Sequence, residues 1–133
     1  MADSNPNVVS ASTVNAELAD GVVGIDQLPS SYQEGCRVFT HYNGPTEQLD
    51  GLCAGMCVLD PGSTPHPPHT HPEEEFMIVA SGTGEIICGD KTTQVGPGAV
   101  MYCDGNVIHG ITNTGKVPLT FYWSKWLAKG ARA

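Results

Sequence analysis

Turn-forming residues break this chain into short apolar runs, and that punctuation restricts the fold more than any other feature. Residues 37–42 end at Asn43-Gly44-Pro45, residues 52–59 at Asp60-Pro61-Gly62, and residues 75–80 at Ser81-Gly82-Thr83-Gly84. Residues 85–88 end at Gly89-Asp90, residues 99–103 at Asp104-Gly105-Asn106, and residues 107–112 at Asn113-Thr114-Gly115; residues 119–127 follow. Each run has strand length, and turn signals about every 8–12 residues belong to all-β sandwiches and barrels. Gly89-Asp90-Lys91 has hairpin-turn chemistry, because Gly and Asp tolerate positive φ. Gly82-Thr83-Gly84 and Gly96-Pro97-Gly98 are turns rather than phosphate cradles, since neither opens a helix. Helical spacing occurs only over residues 14–19, and no internal repeat is present. Residues 1–20, small and polar, read as a flexible arm, and residues 21–133 as a single domain.

Charge narrows the partners. Six basic against 14 acidic side chains give a net charge of −8. Such a field repels phosphate backbones and anionic membrane faces, so no nucleic acid and no membrane is expected as a partner. No apolar run approaches the roughly 18–20 residues that span a bilayer. The start, MADSNPNVV, lacks the basic and apolar regions of a secretory leader, and the cysteines (Cys36, Cys53, Cys57, Cys88 and Cys103) are odd in number. A cytoplasmic protein with reduced thiols is the expectation, not a disulfide framework. Cys53 and Cys57 share strand parity and read as small buried side chains, because no second pair completes a tetrahedral zinc site. Cys88 and Cys103 read the same way.

The chemistry concentrates in Pro65-His66-Pro67-Pro68-His69-Thr70-His71-Pro72-Glu73-Glu74-Glu75, which holds three of the chain's 5 histidines. On a strand His69 and His71 share a face about 6.6 Å apart. Two imidazoles so placed can converge on one ion at N–metal distances of about 2.1 Å. Glu75 would lie about 13 Å beyond His71 on a straight strand, so the chain must turn between them, and Pro72 marks the break. Glu73 and Glu74 are expected in solvent, with Glu74 as the ligand if the turn is one residue tighter. A further ligand is expected from residues 107–113, where His109 sits near the start of a short strand. Three imidazoles and a carboxylate leave coordination positions open, which suits a substrate or dioxygen more than a purely structural ion. His66 reads as a surface residue, with a fifth polar group at the pocket mouth as the alternative, and His41 as a satisfied or exposed strand residue. Met77, Tyr102, Phe121 and Trp123 are candidate pocket walls, with core packing as the alternative. Met77 and Val79 share the parity of Glu75.

The order His-x-His-x3-Glu-x6-Gly, read as His69, His71, Glu75 and Gly82, resembles the first motif of the cupin superfamily. Val95-Gly96-Pro97-Gly98-Ala99 through His109-x3-Asn113 resembles the second. The resemblance spans residues 62–113 and implies a double-stranded β-helix, a jelly-roll barrel that is commonly a homodimer. It also implies one divalent transition metal ion (Fe, Mn, Ni, Cu or Zn) held by His69, His71, Glu75 and His109. The approach to His109, Asp104-Gly105-Asn106-Val107-Ile108, departs from the family's Pro-x-Gly-x2-His, so a turn of different shape is expected there. A metal held by neutral imidazoles and a carboxylate can bind dioxygen beside a chelating substrate, or polarise a carbonyl. The leading expectation is a metal-dependent oxidoreductase, dioxygenase-like, acting on a small organic molecule, with Glu75 also accepting a proton. Isomerase, decarboxylase or hydrolase chemistry on the same site is one alternative. A non-catalytic barrel that binds a small molecule is the other.

Overall fold

The computed structural model describes residues 16–131. Residues 1–15 of the expected arm lie outside these, as do the first two positions of the stretch with helical spacing; residues 16–19 are not helical. Leu18 N–H donates to the Pro45 carbonyl at 2.9 Å, which lays this stretch beside the end of the second strand.

Alternation of apolar and polar side chains sorts the chain into strands with one dry face. In chain order they are β1 (Ser31–Gln33), β2 (Cys36–Gly44), β3 (Leu49–Leu59), β4 (Glu74–Ser81) and β5 (Gly84–Cys88), followed by β6 (Lys91–Val95), β7 (Val100–Cys103), β8 (His109–Asn113) and β9 (Leu119–Ala128). A 3₁₀ turn, Ile25–Gln27, is the one helical element among the described residues. The long strands follow the sequence reading. β8 starts at His109 rather than at residue 107, because Val107 and Ile108 complete the preceding turn. Two strands carry no sequence signal. β1 is 3 residues long, and β6 (Lys-Thr-Thr-Gln-Val) is a polar edge exposed along most of its length.

Hydrogen bonds order β1-β2-β3-β9-β4-β7 into a six-stranded sheet and β6-β5-β8 into a three-stranded one. The pairings are antiparallel. Neither sheet closes on itself, so the jelly roll is an open pair of sheets rather than a hydrogen-bonded ring. Leu59, Val79, Leu119 and Phe121 from the larger sheet meet Ile86 and Ile111 from the smaller to form the core. Asn113, 0% exposed, ties the layers. Its amide donates to the Leu59 and Val117 carbonyls at 2.9 and 2.8 Å, and its oxygen accepts from Gly115 N–H at 2.9 Å. β4 turns Glu75, Met77 and Val79 inward and Phe76 and Ile78 outward, the period of a half-buried strand. No helix among the described residues is long and apolar enough to cross a membrane.

Candidate metal centre

Prolines at 65, 67, 68 and 72 remove backbone donors, and the histidine segment bends through residues 65–68 outside a regular ladder. It is pinned along β8 instead. His69 and His109 exchange both backbone hydrogen bonds at 3.0 Å, and Asn113 N–H donates to the Ser63 carbonyl at 2.9 Å. This bridge sets His69 directly opposite His109. Beyond His71 the chain bends at Pro72 and Glu73, then returns as β4 with Glu75 facing inward. The unusual approach to His109 docks on that bend. Asn106 adopts φ 64, and its N–H donates to the His71 carbonyl at 2.7 Å. At Gly105 a Cβ would sit 2.4 Å from the Pro72 carbonyl oxygen, so a side chain would force the two segments apart.

The His69, His71 and His109 rings lie 4.7–5.1 Å apart between centroids, edge to face. One ring nitrogen from each falls within 4.8 Å of the others. Glu75 is not part of that three-histidine group. Its Oε1 lies 2.8 Å from His71 Nε2 and 3.2 Å from His109 Nε2. Behind the site, His71 Nδ1 donates to the Glu73 carbonyl at 3.1 Å and His109 Nδ1 to the Val107 carbonyl at 2.9 Å. A carbonyl can only accept, so Nδ1 carries the proton and Nε2 is the atom aimed at the centre. Two such nitrogens facing one carboxylate oxygen require either protonated rings or a cation among them. The donor set therefore fits a divalent ion.

Electrostatics agree with this placement. Burial and the neighbouring histidines push His69 down to about 4, which keeps it neutral and able to ligate. Burial raises the Glu75 carboxyl, but hydrogen bonds and charge from His109 and His71 outweigh it and leave the group below its ordinary value. The same hydrogen bond with Glu75 raises His109. Cys103 Sγ packs 3.4 Å from His109 Nδ1, a Cys–His contact the sequence does not signal. Burial, then Cys88, pushes that thiol up to about 12, so it stands behind the histidine as a neutral group.

Above the cluster lies a cavity of about 230 Å³ whose wall includes Met77, Phe121 and Trp123. Tyr102 is not part of it: the side chain faces outward, half exposed, and donates to Glu74 Oε1 at 2.8 Å. The reason is parity, since Tyr102 pairs with outward-facing Phe76 while Glu75 pairs with Cys103. Glu74 is thereby engaged away from the centre, and Glu73 lies 3.3 Å from the far side of His71. His66 is exposed but stacks on His69 with centroids 3.8 Å apart and also lines the cavity. It is a polar group at the mouth and not merely a surface residue. His41 sits at the bulge between Thr40 and Tyr42, outside the cavity wall. Lys125 lines the cavity and was missed by sequence reasoning. Its signal was available: Phe121, Trp123 and Lys125 alternate along one face of β9.

A protein-family model described as a cupin domain, Cupin_2, matches residues 55–125. The chain is a cupin. The matched span holds all the clustered histidines and Glu75. No curated protein matches this cupin. Solved structures do. An RmlC-like cupin from Shewanella frigidimarina NCIMB 400 superposes with a TM-score of 0.67 at 14% identity, covering 84% of this chain and 95% of that one. A cupin 2 conserved barrel domain protein from Salinispora arenicola CNS-205 gives 0.66 at 21% identity, covering 84% and 92%. A predicted oxalate decarboxylase from Thermotoga maritima gives 0.66 at 22%, covering 80% and 99%. At these identities the likeness is one of fold.

Proposed function

We propose that this cupin is a metal-dependent enzyme that acts on a small organic molecule, with dioxygenase-like chemistry as the leading reading. The observation that carries the proposal is the convergence of His71 Nε2 and His109 Nε2 on Glu75 Oε1, with His69 alongside and an open cavity above. His69, His71 and His109 would hold the ion, and Glu75 would complete the set. A first-row ion bound there supplies Lewis acidity and open positions for a chelating substrate and dioxygen.

The chain's own groups define the remaining work. The cavity is smaller than the roughly 300–1,000 Å³ of drug-sized sites, which favours a compact substrate. Met77, Phe121 and Trp123 give it an apolar wall that keeps bulk water from the reacting atoms. Lys125 supplies a cation for a substrate carboxylate or enolate, in a molecule that is otherwise strongly acidic. Glu75, once released from His71 and His109, accepts a substrate proton at Oε1. Lys125 also favours a second reading, decarboxylation or isomerisation of a small acid, because it can neutralise charge that builds on the substrate.

The deciding experiment measures metal content and oxygen uptake together. Protein purified without an affinity-tag metal is expected to carry about one equivalent of a first-row ion, lost in His71→Ala. Oxygen consumption with small chelating acids by the iron, manganese or nickel form supports the first reading. Turnover without oxygen uptake supports the second. A chain that neither carries nor takes up an ion overturns both.

A further inference from the structure

Cys36 and Cys57 take no part in the histidine centre, yet they are the most closely placed reactive pair elsewhere in the fold. They stand on neighbouring antiparallel strands. Cys36 of β2 pairs with Leu59, and Cys57 of β3 pairs with Val38, so the two are diagonal neighbours on the inner face. Both thiols are free and buried, at 7% and 2% exposure. Their Sγ atoms are 2.9 Å apart. A disulfide needs about 2.04 Å, so closure requires the two sulfurs to approach by a further ~1 Å. Cys57 also lines the cavity above the histidines, which gives a small solute a path to the pair.

We propose that Cys36 and Cys57 form a dithiol–disulfide modification site whose oxidant is a small peroxide entering through the cavity. The hydrogen bond from the Cys57 thiol holds Cys36 below its ordinary pKa, and the same contact, with burial, raises Cys57. Cys36 is therefore the one of the two that ionises more readily to the attacking thiolate. It attacks one peroxide oxygen, the O–O bond breaks, and Cys36 becomes a sulfenic acid. The departing hydroxide takes the Cys57 proton and leaves as water. The Cys57 thiolate then attacks the Cys36 sulfur, the S–S bond forms, and the second hydroxide leaves. That hydroxide recovers the proton Cys36 lost on ionising. Two thiols give up two electrons and two protons, and the peroxide becomes two waters. An external dithiol reverses the reaction.

Cys88 and Cys103 are also neighbours, but burial and that contact raise the Cys103 thiol rather than lower it. Cys53 lies in a separate depression with Lys125 and Glu73, and burial raises its thiol. Cys103 is likewise held as a thiol.

The test treats the full chain with hydrogen peroxide, blocks remaining thiols by alkylation, and maps peptides without reductant. Free thiols are expected to fall from five, Cys36, Cys53, Cys57, Cys88 and Cys103, to three per chain. The Cys36 peptide should appear joined to Cys57, two hydrogens lighter than the separate peptides. Dithiothreitol should restore all the thiols. Because the bond closes the loop from β2 to β3, the thermal midpoint should rise on oxidation by on the order of 5–10 °C. Cys57→Ala should abolish both the link and the rise, while Cys53→Ala should preserve them. Alkylation of Cys36 and Cys57 after peroxide treatment, or a link from Cys53 to Cys57, would overturn the proposal. Mapping the wild-type chain decides this even if a variant fails to fold.

Discussion

Glu75 Oε1 faces the Nε2 atoms of two histidines at once, and that shared position determines what the residue can do. Glu75→Gln keeps the size and removes the charge. Turnover should fall by about 10²–10⁴-fold, as when a positioned proton acceptor is lost; wild-type rates in the metal-loaded variant would contradict this. The histidines respond to pH in opposite directions. His69 titrates at about 4 in the folded protein, against about 6.5 in an unfolded chain. The unfolded state then binds the extra proton, so His69 exacts no penalty above about pH 6.5 and a growing one as pH falls toward 4. His109 is raised by Glu75, so its contribution is full below about pH 6.5 and is lost as pH rises through its folded value. Thermal midpoints of the metal-free chain across pH 4 to 8 test both signs: His69→Asn should flatten the acid limb, and His109→Asn the neutral one. Metal uptake should weaken on acidification, because a proton competes for His109 Nε2.

At the scale of elements, the site is made by two irregular segments that pack against each other beside regular strands. The turn at residues 104–107 rests on the bend at Pro72, and the Asn106–His71 hydrogen bond joins them. Gly105→Ala puts a methyl group against the Pro72 carbonyl. The expected result is a stability loss of about 1–3 kcal/mol by urea titration, with a weakened metal affinity measured separately. Full retention of both would show that the contact is slack. Asn113 joins the end of β8 to β3 and to the loop before β9, making three hydrogen bonds from a fully buried amide. Asn113→Ala strands those backbone groups and should destabilise by about 2–3 kcal/mol.

For the molecule as a whole, an ion bound at the centre would tie the histidine segment, β4 and β8 together, and so join the two sheets across the core. Removing it should lower the thermal midpoint. With free metal at about 100 times the dissociation constant, the linkage amounts to about 2.7 kcal/mol. A chelated protein that melts with the loaded one would place the ion elsewhere or nowhere. Two edge elements escaped the sequence reading for a physical reason: β1 is too short to show a period, and β6 has no dry face. Their places come from pairing with β2 and β5, which local composition does not encode.

The amino-acid order alone determined the strand-rich class, the break at Pro72 and the inward parity of Glu75, Met77 and Val79. All of these depend on turn chemistry or on a period of two, which act over a few residues. Tertiary structure decided the rest. It set His109 opposite His69, brought Lys125 into the cavity wall, turned Tyr102 outward and placed Cys36 against Cys57. Those contacts depend on which strands become neighbours and in what register, and only the packing of the two sheets on one core fixes both.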